Sequence, residues 1–427
     1  MGYLDELMQF LDAATCPVTG VDYAVRLLEE KGFLKLSLSD HWLLTPGCSY
    51  YVNLFGTGLC LFSVPNDCTK PYFRIAAAHT DSPCFKVKSR PDVTKSGCLL
   101  CNVEPYGGLI YDTWFDRPLG IAGRVAISDE KGGITLQTVD SLRPIMTIPN
   151  LCIHFQRGEQ ENAKRNIQKE MMPVFGVEGA HSQESLCDIL SELCNVTKEQ
   201  IVDYELYLYD TTKAERIGYR SDLLQSGRLD NLVSVYAVLQ SVLETEHKNH
   251  ISMGIFFDNE EVGSHTKQGA DSLLLPMILE KLYHGLGYSH IEYYEAISNS
   301  HMLSVDAAHA VHPNYPEKSD LTNQVFLDSG LVIKMNSAQH YASDLQFAAQ
   351  IKQQLTLHQI PYTVFYNHSN VRGGSTMGPM LSANLPMPTL DVGVGMLAMH
   401  SIRELCHTTS CTALKQALDV FYRCSLS

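Results

Sequence analysis

Five stretches of this chain place histidines and carboxylates where apolar runs end. "YFRIAAAHTDSP" brings His79 and Asp81 to the end of a small-residue run, and "SGRLDNLVS" sets Asp230 just before a helical pattern. "FFDNEEVGS" closes an apolar run with Asp258, Glu260 and Glu261; "LSVDAAHAVHPNY" closes another with Asp306; "LAMHSIRE" carries His400 just after the Gly-rich "DVGVG". Each has an ordinary explanation on its own. Asp230 suits a helix N-cap, Glu260 and Glu261 a solvated loop, Asp306 a turn, and His400 a satisfied core histidine. Taken together they are a poor accident, because ionised groups are rarely left unpaired at the ends of buried strands. Imidazole nitrogen and carboxylate oxygen are zinc ligands at ~2.0–2.2 Å, and open sheets place their sites at strand ends.

The chemistry this set suits is hydrolysis at two divalent ions, held roughly 3.5–4 Å apart with one carboxylate bridging them. His79, Asp230, Glu261, Asp306 and His400 are assigned as ligands. Their three carboxylates offset three of four positive charges, and a bridging hydroxide neutralises the fourth. Glu260 is then left over. In extended backbone adjacent side chains point to opposite sides, so a Glu261 turned to metal leaves Glu260 facing the water as general base. Asp81, one extended repeat from His79, is placed to accept the other imidazole N–H and fix the tautomer.

Those residues need elements to hold them. Leu4, Met8 and Leu11, then Val21, Ala24, Val25 and Leu28, predict two N-terminal helices. "GLCLFSV" and "YFRIAAAH" read as strands. From about Lys88 to Arg220 turns and short β-like runs dominate, among them "GRVAIS", "ITLQTV" and "YELYLYD". A polar stretch over 157–170 reads as an exposed loop, and "SQESLCDILSELC" as a short helix. After residue 220 helix and strand alternate to the end. The expected fold is α/β: a mixed sheet covered by helices over 1–88 and 221–427, with a smaller β-rich domain inserted over 89–220 for dimerisation and further assembly.

Composition narrows the partners. The chain has 427 residues and a net charge of −15, which argues against nucleic acid and anionic membranes. Its 13 cysteines are odd in number and scattered, and Cys98-x-x-Cys101 has no second pair to complete a structural zinc site. Reduced thiols, no basic-then-apolar leader and no apolar run near the ~20 residues of a membrane helix point to a cytoplasmic protein.

Eight stretches, "AAHTDSP", "IPNLCIH", "GRLDNL", "DNEEVGS", "VDAAHAVHPNY", "LVIKMN", "GGSTMGP" and "LAMHSIRE", occur in one order across nearly the whole chain. In them the sequence resembles the aspartyl aminopeptidase family of dinuclear zinc metallopeptidases. That resemblance implies removal of the N-terminal residue from peptides with a free amino terminus, with a preference for Asp or Glu. It also implies assembly as a homo-dodecamer built from dimers. It carries over the same five ligands with Asp230 as the bridge, Glu260 as base and Asp81 in support. It adds His154, entering a neighbouring subunit's site to stabilise the tetrahedral intermediate, although the apolar "IPNLCIHF" by itself reads as a core strand. It adds Lys334 beside the substrate's acidic side chain, where an isolated reading gives a solvated lysine on an edge strand. Gly373 and Gly374 are expected to let the backbone approach substrate, in a stretch that departs from a Pro-Cys variant of some relatives.

Rival readings stay open at this point. The same metal pair serves a broad-specificity aminopeptidase or an N-acyl amino acid deacylase, and the fold alone serves a non-catalytic peptide-binding assembly protein. A serine hydrolase is disfavoured, since "GGSTMG" lacks the Gly-x-Ser-x-Gly elbow. Zinc is the expected ion, with cobalt and manganese compatible with such ligands.

Overall fold

The computed structural model describes residues 2–156, 165–179, 184–245, 249–371 and 373–424. The polar loop expected over 157–170 lies largely outside these residues, as do Ser182 and Gln183 at the start of the expected short helix, and Arg372. Two compact units divide the chain. One comprises Met1–Asp81, Ala214–Met399 and Glu404–Ser427; the other comprises Ser82–Lys213 with His400–Arg403.

The first unit is built on a mixed sheet. Its centre is four parallel strands in the order His250–Phe257, Tyr72–His79, His301–Val305 and Thr389–Leu397. Gly58–Ser63 and Ser49–Leu54 extend it antiparallel on one side, and Leu331–Lys334 pairs antiparallel with Thr389–Leu397 on the other. All eight residues of His250–Phe257 are buried, as expected of a parallel strand covered on both faces, which reads as a continuous apolar run rather than an alternation.

The period-two geometry of a strand sorts the residues of Tyr72–His79 between two cores. Phe73, Ile75 and Ala77 join Leu275, Ile278, Leu279 and Leu282 of the helix Leu274–Gly285. Ala76 and Ala78 join Leu232, Val235 and Leu239 of Leu229–Glu244 and Leu414, Leu418 and Phe421 of Thr408–Arg423. Alanine is needed on that second face because the long helix Leu229–Glu244 lies directly over the strand. The N-terminal helices fall at Tyr3–Ala13 and Pro17–Glu30, with Leu7, Phe10, Leu11, Val21 and Leu28 on the inner face. No helix among the described residues is long and apolar enough to cross a membrane.

The second unit is a six-stranded antiparallel sheet in the order Ile134–Asp140, Leu119–Ser128, Ile201–Asp210, Cys84–Lys95, Cys98–Tyr106, Val174–Val177. Phe85 and Trp114 meet edge to face at 5.0 Å within it. The expected short helix forms over Leu186–Cys194, and a single helical turn, Ile167–Glu170, follows the undescribed loop. None of the thirteen cysteines, all among the described residues, is in a disulfide.

One glycine ties the sheet to the chemistry. A methyl group on Gly393, in the strand Thr389–Leu397, would run into the backbone carbonyl of Asp306. Backbone cannot yield as a flexible side-chain tip does. Gly393→Ala is therefore expected to destabilise the fold by about 1–3 kcal/mol and to weaken metal binding, because Asp306 is displaced. Thermal melting with and without zinc checks both. An unchanged melting temperature and metal affinity would show that the carbonyl has room to move.

Candidate metal centre

Three adjacent parallel strands end side by side, and their ends deliver the acids. His79 is the last residue of Tyr72–His79 and is 1% exposed. Phe257, paired with His79 in register, is followed at once by Asp258, Glu260 and Glu261. Asp306 follows His301–Val305, held by its N–H to the carbonyl of Val392 at 2.8 Å. Asp230 comes from the first turn of Leu229–Glu244, where its backbone is non-helical and its N–H donates to Glu404 Oε2 at 2.9 Å. Its side chain turns to His79.

The distances describe carboxylates crowded around one imidazole nitrogen. His79 Nε2 lies 3.4 Å from Asp306 Oδ1, 3.6 Å from Asp230 Oδ1 and 4.0 Å from Glu260 Oε2. Two ligands at ~2.0 Å in tetrahedral arrangement stand roughly 3.3 Å apart, so this spacing suits donors sharing an ion. His79, Glu260 and Glu261 form one group whose donor atoms all lie within 4.8 Å of one another, and His79, Asp230 and Asp306 form a second. The donor set fits divalent metal.

Charge makes the same case. Asp81, Asp230, Asp258 and Asp306 are buried, Glu260 and Glu261 stand beside them, and Lys334 is the cation that pairs with the group, its Nζ 3.3 Å from Asp306 Oδ2. Burial pushes the Glu260 carboxyl up to about 8, with Asp306, Asp81 and Asp230 adding to the shift and His79 opposing it. Glu261 is pushed well above the usual carboxylate range by burial and then by Asp230. Burial also lifts Asp258, to about 6. Asp306 goes the other way: burial opposes ionisation, but Lys334 and His79 outweigh it and hold the carboxyl below its usual range. Burial disfavours the charged form of His79, yet Asp306 and Asp81 raise its basicity well above that of an ordinary histidine. A buried group of carboxylates this crowded needs further positive charge to stay ionised.

Two expectations change in detail. Glu260 and Glu261 are not in extended backbone. Asn259 is left-handed at φ 66°, and Glu260–Val262 forms a single tight turn, so the two side chains diverge by ~120° rather than 180° and both reach the cluster. Asp81 holds that turn. Its carboxylate accepts the N–H of Glu260 at 3.2 Å and of Glu261 at 3.1 Å. His79 Nδ1 finds the Asp81 backbone carbonyl at 3.0 Å, with the carboxylate farther off at 3.4 Å. A carbonyl is thus the nearer partner of Nδ1, and with Nδ1 protonated the Nε2 lone pair faces Asp230, Asp306 and Glu260, where an ion could take it.

Lys334 is not a solvated edge-strand lysine. Its strand is paired on both sides, with Thr389–Leu397 and Tyr362–Phe365, and the residue is 2% exposed. Gly373 and Gly374 lie outside the cluster. Gly373 leaves room for the Asn367 side chain, and Gly374 faces open space. His154 and His400 belong to the second unit. His154 is not in a core strand: it sits exposed in the short turn Ile153–Gln156. His400 directs Nδ1 to the carbonyl of Gly108 at 2.8 Å. Glu404, buried and fixing Asp230, was given no role from the sequence, although it closes the "LAMHSIRE" stretch.

Comparison with known proteins accords with this geometry. The family model "Aminopeptidase I zinc metalloprotease (M18)" matches residues 10–422. A probable M18 family aminopeptidase 2 of Clostridium novyi (strain NT) is 36% identical over 409 residues, covering 95% of this chain and 94% of its own. Its counterpart in Pseudomonas entomophila (strain L48) is 36% identical over 424 residues, covering 98% and 97%. Among solved structures, a cryo-EM structure of an Ape4 and Nbr1 complex superposes with a TM-score of 0.94 at 32% identity, over 98% of this chain and 85% of that one. The M18 aminopeptidase of Thermotoga maritima shares the fold, with a TM-score of 0.86 at 22% identity over 99% and 96%. By sequence and fold alike, the chain belongs to the M18 family of zinc metallo-aminopeptidases.

Proposed function

We propose that this enzyme removes acidic N-terminal residues from peptides at a pair of divalent ions, with Glu260 as general base. The observation that carries the reading is the convergence of His79 with Asp230, Glu260, Glu261 and Asp306 at the ends of three neighbouring strands. His79, Asp230, Glu261, Asp306 and His400 are the proposed ligands, His400 resting on its "LAMHSIRE" stretch and on an Nδ1 already committed to a carbonyl. Two ions bound by such donors supply Lewis acidity and lower the pKa of water from ~15.7 to around 7.

The protein's own groups do the rest. Glu260 takes a proton from the attacking water and returns it to the leaving amine. Asp81 keeps Glu260 and Glu261 in register through their backbone N–H groups. His154 is proposed to reach a second copy of the chain and donate to the developing oxyanion. Its exposure supports that, as do the exposed Leu151, Ile153 and Phe155 around it, an apolar surface suited to burial between subunits. Assembly as a dodecamer is part of this proposal. One solved relative with the same fold is described as the S. cerevisiae mApe1 dodecamer. Thirteen cysteines without a disulfide suit a reducing compartment, the cytoplasm.

Acidic preference rests on Lys334. An ammonium carries three donors, and Asp306 engages it through Oδ2, so donors remain for a substrate carboxylate. The same ion pair also favours a second reading, broad specificity, because a lysine spent on Asp306 selects nothing. A panel of Asp-, Glu-, Leu- and Lys-aminoacyl substrates plus an N-acetylated one, run with defined metals, separates them. Acidic substrates are expected to lead in kcat/KM by at least tenfold, with none cleaved when N-acetylated. Equal rates across the panel would remove the acidic preference, and cleavage of the acetylated substrate would remove the aminopeptidase reading.

A further inference from the structure

Away from the strand ends, a second set of metal-type donors converges on the surface of the first unit. Glu280 and His284 lie one turn apart on the helix Leu274–Gly285, so their side chains share a face. His290 opens the next helix, His290–Ser298, whose first turn is locked by the reciprocal bonds of Ser289 and Glu292. The connection between the helices is short, and Tyr283 and Tyr288 pack across it at 4.7 Å. The backbone therefore holds the three donors in place without help from an ion.

Their geometry has a centre. Glu280 Oε1 is 3.0 Å from His290 Nδ1 and 3.9 Å from His284 Nε2, and one donor atom from each residue lies within 4.8 Å of the other two. The two imidazole rings are parallel to within 7°. The other nitrogen of His290, Nε2, meets the Tyr294 hydroxyl at 2.8 Å. That outer hydrogen bond orients the ring, and the hydroxyl can accept from Nε2–H when Nδ1 gives its lone pair to an ion. An ordinary Glu–His ion pair would account for His290 alone. The helix adds a second imidazole one turn along, its Nε2 3.9 Å from the same carboxylate oxygen, which completes a set of three donors.

We infer that Glu280, His284 and His290 form a surface binding site for a divalent transition-metal ion of the zinc class, separate from the catalytic centre, with water completing the shell. Two imidazoles and one carboxylate are an established zinc donor set, and cobalt, nickel and copper ions suit the same ligands. The side chains are nearly half exposed, with 49% for each histidine and 43% for Glu280, so the ion exchanges with solvent. Bound, it clamps the helix Leu274–Gly285 to His290–Ser298.

The test uses zinc-loaded enzyme dialysed to equilibrium against buffered micromolar zinc, with metal counted per chain. Wild type is compared with a His284→Ala, His290→Ala double variant, whose exposed positions leave the core untouched. Wild type is expected to hold one more ion per chain than the variant, at equal peptidase activity. Adding zinc to the loaded enzymes should raise the melting temperature of wild type and leave that of the variant unmoved. Equal metal counts and equal zinc responses would overturn the site and leave only a surface ion pair.

Discussion

Glu260→Gln is expected to lower kcat by roughly 10²–10⁴-fold while KM, zinc content and fold are retained. The amide keeps the size of the carboxylate and loses only the capacity to take a proton. A structural role would show differently. The carboxyl of Glu260 titrates near 8 because it is buried among other acids, so ionising it in the metal-free protein costs stability, on the order of several kcal/mol. The Gln variant, freed of that charge, is expected to melt higher than wild type once both are stripped of metal at pH 8. Lost turnover together with gained apo stability marks a residue kept for chemistry. Turnover within tenfold of wild type would mean that another group accepts the proton.

Metal removal has the second large effect, and it depends on pH. Chelation is expected to abolish activity at every pH and to lower the melting temperature more at pH 8 than at pH 5. An unfolded glutamate titrates near ~4.3, whereas Glu260 in the folded, metal-free chain titrates near 8. Below ~4.3 both states hold the proton, and Glu260 makes no difference to stability. As pH rises through this window the unfolded chain releases its proton first, so folding grows less favourable, and the loss is complete above about 8. Glu261, raised in the same direction, adds to it. His301 works oppositely at lower pH: burial, with Arg74 nearby, depresses it to about 4, and its protonation costs stability as pH falls. It is common to the loaded and chelated forms, so the difference between their melting curves isolates the metal centre. A gap that narrows from pH 5 to pH 8 would contradict this balance of charge.

Much of the architecture was legible because the central strands are mostly apolar and buried along their length. "YFRIAAAH" is bounded by a proline and a polar run, and it forms a strand over the same eight residues, Tyr72–His79. Acids placed directly after such runs, as Asp306 is, must lie at strand ends, and three neighbouring parallel strands bring those ends together. The sequence carried less about contacts set by the pairing of distant strands. Lys334 and Asp306 are 28 residues apart and meet at 3.3 Å only because Thr389–Leu397 lies between their strands. Local alternation misplaced Glu260 and Glu261 because Asn259, tolerant of left-handed backbone, turns the chain before them. "LCIHF" looked like core because apolar composition does not distinguish a residue buried within one chain from one exposed for burial by another. Asp81 was found for its spacing, yet its carboxylate mainly serves the turn opposite.

The most direct measurement is zinc-edge anomalous diffraction from crystals of the loaded enzyme. Two peaks about 3.5–4 Å apart are expected among His79, Asp230, Glu261, Asp306 and His400, with the Glu260 carboxylate outside both coordination shells. A single ion, or Glu260 bound to metal in place of one of those five, would contradict the division of ligands from base on which the reaction rests.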